Sequence, residues 1–241
     1  MGEGNTNLKM TLIKTERATK IFKEDSEPVF ALSSVSIQIE AGEFTALSGP
    51  SGSGKTTLLN LIGCLDRPSE GKIYFDGNEV SKLSQHQLTE FRLRKIGFIF
   101  QDYNLIPAFT AIENIEYVLW LQGTGAAERR KKAVEVCDRF GIKKLINRRP
   151  FEMSRGQQQR VAVARAIVHK PKIVLGDELT ANLDHKTGTE LMEFLKELNR
   201  EENITFLYAT HDPAVLKQAN RIITLEDGKL TGEKVGANVS L

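Results

Sequence analysis

The pattern of apolar positions along the chain predicts alternating strands and helices. Apolar runs at 44–47, 172–175 and 204–209 have the length of buried strands. Between the last two runs, Leu191 and Leu195 recur at the helical period. Because strands that are apolar throughout are buried on both faces, we expect an α/β fold with a mainly parallel sheet. In such sheets, ligands bind beyond the carboxyl ends of the strands.

The N-terminal part of the chain predicts a second, antiparallel set of strands. Short alternating runs such as 35–39 are broken by turn-like sequence. An Asp-Gly pair at 76–77 lies between runs at 71–75 and 78–80, which is a hairpin signal. We therefore expect an antiparallel β subdomain beside the parallel core.

Residues 102–168 predict a helical segment inserted into this core. Ile112, Ile115 and Leu119 form one helical stripe, and a second stripe follows at 134–140. We divide residues 1–241 as a single domain, with the core and antiparallel region at 1–101 and 169–241 and a helical subdomain at 102–168. The glycine-containing tail after Gly228 is expected to fray.

The charges of the chain are balanced. Its 33 Lys and Arg residues against 31 Asp and Glu residues give a net charge of +2, so charge supplies no argument for a nucleic-acid partner. The basic run Arg129, Arg130, Lys131 and Lys132 stands beside Glu128, which is typical of a solvated helix face. We predict no nucleic-acid partner.

Cysteine content and hydropathy indicate a cellular compartment. Cys64 and Cys137 are the only cysteines, which favours packing residues in a reducing compartment over a disulfide framework. No stretch approaches the ~20 apolar residues of a membrane-spanning helix, and the polar N-terminus lacks the apolar run of a secretory signal. We expect a soluble, cytoplasmic chain.

A glycine-rich loop between a strand and a helix predicts a phosphate site. Glycines allow the tight turn in which successive backbone N–H groups point at phosphate oxygens, and the start of the helix adds its positive dipole end. Lys55 would reach the terminal phosphates, and the Thr56 hydroxyl would ligate Mg²⁺. The phosphate-binding residues that we assign are Gly49, Pro50, Ser51, Gly52, Ser53, Gly54, Lys55, Thr56 and Thr57. The motif predicts a P-loop NTPase core that binds a nucleoside triphosphate.

Two acids follow the apolar run 173–175. Asp177 would hold the magnesium shell, and Glu178 would accept a proton from the water that attacks the γ-phosphate. Paired acids after a strand also begin loops or cap helices, and the nearby phosphate loop favours the chemical interpretation. His211 follows the next strand and could contact the γ-phosphate or the water, whereas Gln101 follows 97–100 and could bind Mg²⁺ or water through its amide oxygen. A structural role remains open for both.

These segments resemble the nucleotide-binding subunit of an ABC transporter, in family order and through nearly the whole chain. The most specific piece is 153–162, which reads Met-Ser-Arg-Gly-Gln-Gln-Gln-Arg-Val-Ala and is similar to the family signature Leu-Ser-Gly-Gly-Gln. The other matching segments are the phosphate loop 49–56, Gln101, Asp177 and Glu178, the loop 181–184, and His211.

The resemblance implies that two copies close head to tail, with each ATP between the phosphate loop of one copy and the signature of the other. It implies that Ser154, Gly156, Gln157 and Asp184 contribute to nucleotide binding from the signature side. Phe22 aligns with the family's adenine-stacking aromatic; a buried strand phenylalanine is the competing interpretation.

The sequence departs from the family at two positions. Arg155 replaces the first glycine of the signature, and Leu179 replaces the proline that usually follows the catalytic glutamate. Neither change removes a group that does chemistry. We therefore expect hydrolysis, although the long Arg155 side chain could alter the γ-phosphate contact across the dimer.

Within the family, 100–107 and 61–68 resemble the group that powers lipoprotein release or efflux of macrolides and peptides. This resemblance implies integral membrane permease partners with a large extracytoplasmic domain, and a peripheral position on the inner face of the cell membrane. Leu105, Ile106 and Phe109 could line a groove for a permease helix or could pack internally. An ATP-gated regulatory subunit and a non-transport ABC ATPase remain the alternatives, and the transported substrate is not written in this chain.

Overall fold

The computed structural model describes residues 10–24 and 27–236. Its strands are β1 (Thr11–Glu24), β2 (Glu27–Val35), β3 (Gln38–Glu40), β4 (Phe44–Ser48), β5 (Glu70–Phe75), β6 (Asn78–Glu79), β7 (Ile96–Ile99), β8 (Ile173–Asp177), β9 (Thr205–Ala209), β10 (Arg221–Glu226) and β11 (Lys229–Val235). Its α-helices are α1 (Lys55–Ile62), α2 (Gln85–Lys95), α3 (Ala111–Leu121), α4 (Ala126–Arg139), α5 (Arg155–Ile167), α6 (His185–Glu202) and α7 (Pro213–Leu216). Short 3₁₀ turns lie at Val80–Lys82, Lys143–Leu145 and Pro150–Glu152.

The larger sheet has the strand order β11-β10-β4-β9-β8-β7 and is parallel except for β11. Its central strands are buried on both faces. Phe44 and Tyr208 meet on one face with ring centroids 5.1 Å apart, whereas Leu47 and Leu207 join the apolar cluster on the other. The predicted α/β fold with a mainly parallel sheet is thereby confirmed.

The smaller sheet contains β2-β1-β5-β6, with β3 paired to β1, and its pairings are antiparallel. The Asp-Gly turn at 76–77 joins β5 to β6, as the hairpin signal predicts. The antiparallel region is therefore confirmed.

The segment between β7 and β8 contains α3, α4 and α5. Thr110 starts α3 with a capping box, in which its hydroxyl accepts from the Glu113 backbone N–H. Arg129 and Arg130 of α4 both contact Glu116 of α3, so two charges of the basic run form ion pairs within the segment. These helices agree with the predicted helical segment, and the exact subdomain boundaries at 102 and 168 stay a prediction.

The structure corrects one sequence-based expectation and decides two others, the burial of Phe22 and the role of the cysteines. The chain after Gly228 does not fray, because β11 pairs along β10 as far as Val235; residues 237–241 lie outside the described part. Phe22 is 41% exposed, which contradicts the interpretation as a buried strand residue. Cys64 and Cys137 are both buried free thiols, as expected for packing residues.

Candidate nucleotide-binding site

The glycine-rich loop links the end of β4 to the start of α1. Gly49, Gly52 and Gly54 all have positive φ angles, of 145°, 79° and 99°. A Cβ atom on Gly49 would lie 2.1 Å from the backbone oxygen of Leu225, so no side chain fits there. Lys55 Nζ donates to the backbone oxygens of Gly49 and Pro50, each at 2.8 Å. The loop therefore curls around a buried ammonium group.

A hydrogen bond joins Thr56 of the glycine-rich loop to Asp177 at the end of β8. The Thr56 hydroxyl donates to Asp177 Oδ2 at 2.8 Å across 121 positions of sequence. Parallel pairing explains the meeting, because β4 and β8 flank β9 and all three end at the same edge of the sheet. Both groups offer oxygen atoms, which are the ligands that Mg²⁺ prefers.

Glu178 and His211 lie beside this pair. Glu178 has a left-handed backbone with φ of 49°, and its N–H donates to the backbone oxygen of Ala209 at 3.0 Å. Its Oε1 lies 2.7 Å from Nδ1 of His211. The Glu178 side chain is 18% exposed and the His211 side chain 71% exposed. The carboxylate thus lies near the surface, oriented by an imidazole that is open to solvent.

Gln101 lies at the same edge, two residues beyond the end of β7. Its backbone oxygen accepts from Asn182 Nδ2 at 2.9 Å, which ties it to the loop that follows Glu178. The residues after it are held from α5: Arg165 donates to the backbone oxygens of Tyr103 at 2.7 Å and Asn104 at 2.6 Å. Sequence reasoning placed Asn182 in the matching loop 181–184 but gave it no role, and it missed Arg165, because neither contact carries a signal before the chain is folded.

The signature residues begin α5. Ser154 caps this helix by accepting from the Gln157 backbone N–H at 3.3 Å, and the Gln157 side chain accepts from the Ser154 N–H at 3.0 Å. Gly156 packs closely on α6, where a Cβ atom would lie 3.0 Å from Thr187 Cγ2. Asp184 caps α6 through Thr187, and these hydrogen bonds lower the pKa of its carboxyl.

The predicted residues fall into two separate groups. Residues 49–57, Asp177, Glu178 and His211 belong to the edge of the parallel sheet. The signature residues and Asp184 line a different cleft of about 710 Å³, and no residue of 49–57 lines that cleft. The structure therefore separates the predicted P-loop residues from the predicted signature residues.

Comparison with known proteins identifies the family. The family model described as ABC transporter matches residues 32–181. The chain belongs to the ABC transporter family. It is an ATP-binding and ATP-hydrolysing subunit of that family.

A relative of this ABC ATPase is MJ0796 of Methanocaldococcus jannaschii, an ABC transporter ATP-binding protein. It is 45% identical over 227 residues, which span 92% of this chain and 97% of MJ0796. A solved structure of MJ0796, dimeric and bound to ADP and Pi after hydrolysis, superposes with a TM-score of 0.87 at 43% identity, covering 93% of this chain and 98% of that one. Such dimers support self-association of the ABC ATPase.

A second relative is the macrolide export ATP-binding/permease protein MacB of Syntrophobacter fumaroxidans. It is 41% identical over 226 residues, which span 93% of this ABC ATPase but 32% of MacB. Among residues 10–24 and 27–236, no helix has the length and apolarity needed to cross a membrane.

Proposed function

We propose that this ABC ATPase drives a separate membrane permease and hydrolyses ATP with the residues at the edge of the parallel sheet. The observation that carries the proposal is that residues following three strands, β4, β8 and β9, meet at this edge. The Thr56 hydroxyl donates to Asp177, and Nδ1 of His211 lies within hydrogen-bond distance of Glu178. Gln101 follows a fourth strand at this edge.

In this proposal, Lys55 and the N–H groups of 49–57 hold the phosphates of ATP. Thr56, Asp177 and Gln101 would hold Mg²⁺, and their oxygen atoms fit a cation that otherwise keeps phosphate and water ligands. The metal would neutralise charge on the β- and γ-phosphate oxygens. Glu178 would accept the proton of the attacking water, and His211 would orient the Glu178 carboxylate.

The second half-site supports head-to-tail assembly. Ser154, Gly156 and Gln157 stand at the positive end of α5, which favours an anion. Because they line a cleft apart from the P-loop of their own chain, we assign them, with Asp184, to the nucleotide of a second copy. Phe22 is exposed and its ring lies 5.1 Å from Lys20 Nζ, which suits an aromatic surface open to adenine.

The test is Mg²⁺-dependent ATP hydrolysis by the native chain and by Glu178→Gln, each also run on size-exclusion chromatography with ATP. We expect hydrolysis by the native chain, and loss of hydrolysis with accumulation of a dimer for Glu178→Gln. A native chain without hydrolysis, even with its permease, would instead indicate an ATP-gated binding subunit.

The permease is proposed to be of the lipoprotein-release or macrolide- and peptide-efflux type, which places the ATPase on the inner face of the cell membrane. Similarity to MacB supports this assignment. Leu105 packs on the core, whereas Ile106 and Phe109 are half-buried beside it. Phe109 meets Tyr117, and Tyr117 stacks on Trp120, which is 56% exposed. This aromatic surface would receive a permease helix.

Ile106→Asp tests the surface. We expect it to abolish recruitment to membranes that contain the permease while ATP hydrolysis in solution stays normal. Gln85→Asp, on an exposed position of α2, is the control, because it also replaces a neutral side chain by a carboxylate. Recruitment of Ile106→Asp at the native level would remove this surface from the proposal.

A further inference from the structure

Glu178 has a strained backbone that its neighbours must hold in place. Its φ of 49° lies in the left-handed region, which residues other than glycine keep only where the surrounding structure imposes it. One restraint precedes its Cα atom, where the Glu178 N–H donates to the backbone oxygen of Ala209 at 3.0 Å. His211 contacts the far end of the side chain and not the backbone. The restraint on the C-terminal side of Glu178 must come from elsewhere.

The residue after Glu178 is held by a side chain of α5. Gln159 Nε2 donates to the backbone oxygen of Leu179 at 2.8 Å, in a buried contact across 20 positions of sequence. Leu179 has no ring to fix its φ, unlike the proline that the family resemblance leads us to expect there. Its buried side chain packs over Gly176, and Gln159 adds a polar restraint on the backbone to this apolar one.

Gln159 is a polar residue on an apolar face. It is 1% exposed, and the other buried residues of α5 are all valine, alanine or isoleucine. Its Oε1 has no hydrogen-bond partner among the described residues. Burying an amide with one of its two polar ends unsatisfied is costly. The hydrogen bond to Leu179 is the one described contact that accounts for a glutamine at this position.

We propose that Gln159 is a positioning residue for ATP hydrolysis. Through the Leu179 carbonyl it holds the backbone of Glu178, so that the carboxylate faces the attacking water. The same loop is tied a second time at Asn182, whose Nδ2 donates to the Gln101 backbone oxygen. Gln159 itself contacts neither the nucleotide nor the water. The inference rests on the proposed function, in which Glu178 is the general base.

The first test compares methionine variants of two glutamines. Methionine is close to glutamine in length but has no hydrogen-bond donor. Gln159→Met should lower kcat about tenfold and leave KM for ATP unchanged, because a small misplacement of the base slows the chemical step without affecting nucleotide binding. Gln122→Met is the matched control: Gln122 also donates to a distant backbone oxygen, that of Leu93 at 2.7 Å, but joins α3 to α2. A native kcat for Gln159→Met, or an equal loss in Gln122→Met, would overturn the inference.

The second test asks whether Gln159 acts through Glu178. Single-turnover hydrolysis is measured for the native chain, Gln159→Met, Glu178→Gln and the double variant. Gln159→Met should slow the native chain about tenfold and change the Glu178→Gln chain little, since a base that has been removed cannot be misplaced. Equal slowing in the two backgrounds would mean that Gln159 supports the fold or the bound nucleotide, and the positioning role would be wrong.

Gln159→Glu tests the donor itself through its pH profile. A protonated carboxyl donates to the Leu179 oxygen, whereas a carboxylate only accepts. Burial favours the protonated form. The kcat of Gln159→Glu relative to the native chain should therefore rise above that of Gln159→Met as pH is lowered from about 8 to about 6. A ratio that stays at the level of Gln159→Met over this whole interval would contradict the donor role.

Amide hydrogen exchange gives a result that does not depend on activity. Exchange over 179–183 should become at least about tenfold faster in Gln159→Met and stay native in Gln122→Met, because only the first variant loses a restraint on this loop. Native exchange in Gln159→Met would overturn the inference. If the native chain hydrolyses no ATP while exchange responds as expected, the proposed function has failed and the restraint on the loop stands.

Discussion

Nδ1 of His211 lies 2.7 Å from Oε1 of Glu178, although the two residues are 33 positions apart. The contact follows from sheet topology, because β8 and β9 are parallel neighbours whose last paired residues are Asp177 and Ala209. The side chains that follow these two strands therefore lie close together at the same edge of the sheet.

Substitution of Glu178 should slow hydrolysis more than substitution of His211. Glu178→Gln should lower kcat more than about 100-fold, since a positioned general base contributes 10²–10⁴-fold. His211→Ala should lower kcat about 10- to 100-fold, because the base stays but loses its orienting hydrogen bond. Steady-state phosphate release measures both, with exposed His185→Ala as the control. A native kcat for His211→Ala would show that the imidazole is only a neighbour.

His169 should make the free energy of unfolding fall at acid pH. Burial lowers the pKa of His169 from 6.5 to about 4, against a smaller opposing effect of the Ile96 backbone. Between these two values the unfolded chain binds more protons, so stability falls as pH decreases from about 6.5 to about 4 and is unaffected above. The contribution of His169 at pH 5 is a loss of about 2 kcal/mol.

Urea unfolding at pH 7.5 and pH 5.0 measures this loss. His169→Asn should lose about 2 kcal/mol less stability than the native chain over that interval. His86→Asn is the matched control, since His86 is exposed. An identical change for the native chain and His169→Asn would contradict the assignment.

Two strand glycines should respond oppositely to the same substitution. A Cβ atom on Gly97 in β7 would lie 2.2 Å from the backbone oxygen of Ala166 in α5, where nothing flexible can yield. Gly97→Ala should therefore lower the free energy of unfolding by about 1–3 kcal/mol or more. At Gly232 in β11 the nearest atoms are 3.9 Å away, so Gly232→Ala should be tolerated. Thermal unfolding of the two variants side by side decides the point.

Arg165 should hold the segment that follows Gln101. It donates to the backbone oxygens of Tyr103 and Asn104, both of which have positive φ angles. Arg165→Lys keeps a charge but cannot make both bonds. Amide hydrogen exchange over 102–106 should become at least about tenfold faster, whereas Lys170→Arg, on an exposed position after α5, should change nothing. Unchanged exchange in Arg165→Lys would mean that other contacts, such as those of Asn114, hold the segment.

Much of the fold could be predicted from apolar periodicity, because buried parallel strands are continuous apolar runs and require no knowledge of their partners. The P-loop could be predicted for a related reason: its geometry is local, and Gly49 and Gly54 encode it in the loop itself. The strand in the tail after Gly228 could not be predicted from apolar periodicity. Its strand β11 has mostly exposed residues, and pairing with β10, rather than an apolar pattern, makes it a strand.

The contacts around the site could not be predicted from the sequence. Asn182 binds a backbone oxygen of Gln101 across 81 positions, and any residue type offers such an acceptor. For Phe22 the sequence left two interpretations open, an adenine-stacking aromatic and a buried strand residue, and only the fold shows that the side chain is exposed.

The helical segment leaves the sheet at the carboxyl end of β7 and returns at the amino end of β8, its immediate neighbour. These ends lie at opposite edges of the sheet, and the return is made by α5, which is ~20 Å long for 13 residues. Ser154 and Arg155 thus lie at the N-terminal end of a helix whose C-terminal end packs against Gly97 of β7. Arg165, near the other end of the same helix, donates to the backbone of the segment after Gln101, so a single helix connects the signature to that segment.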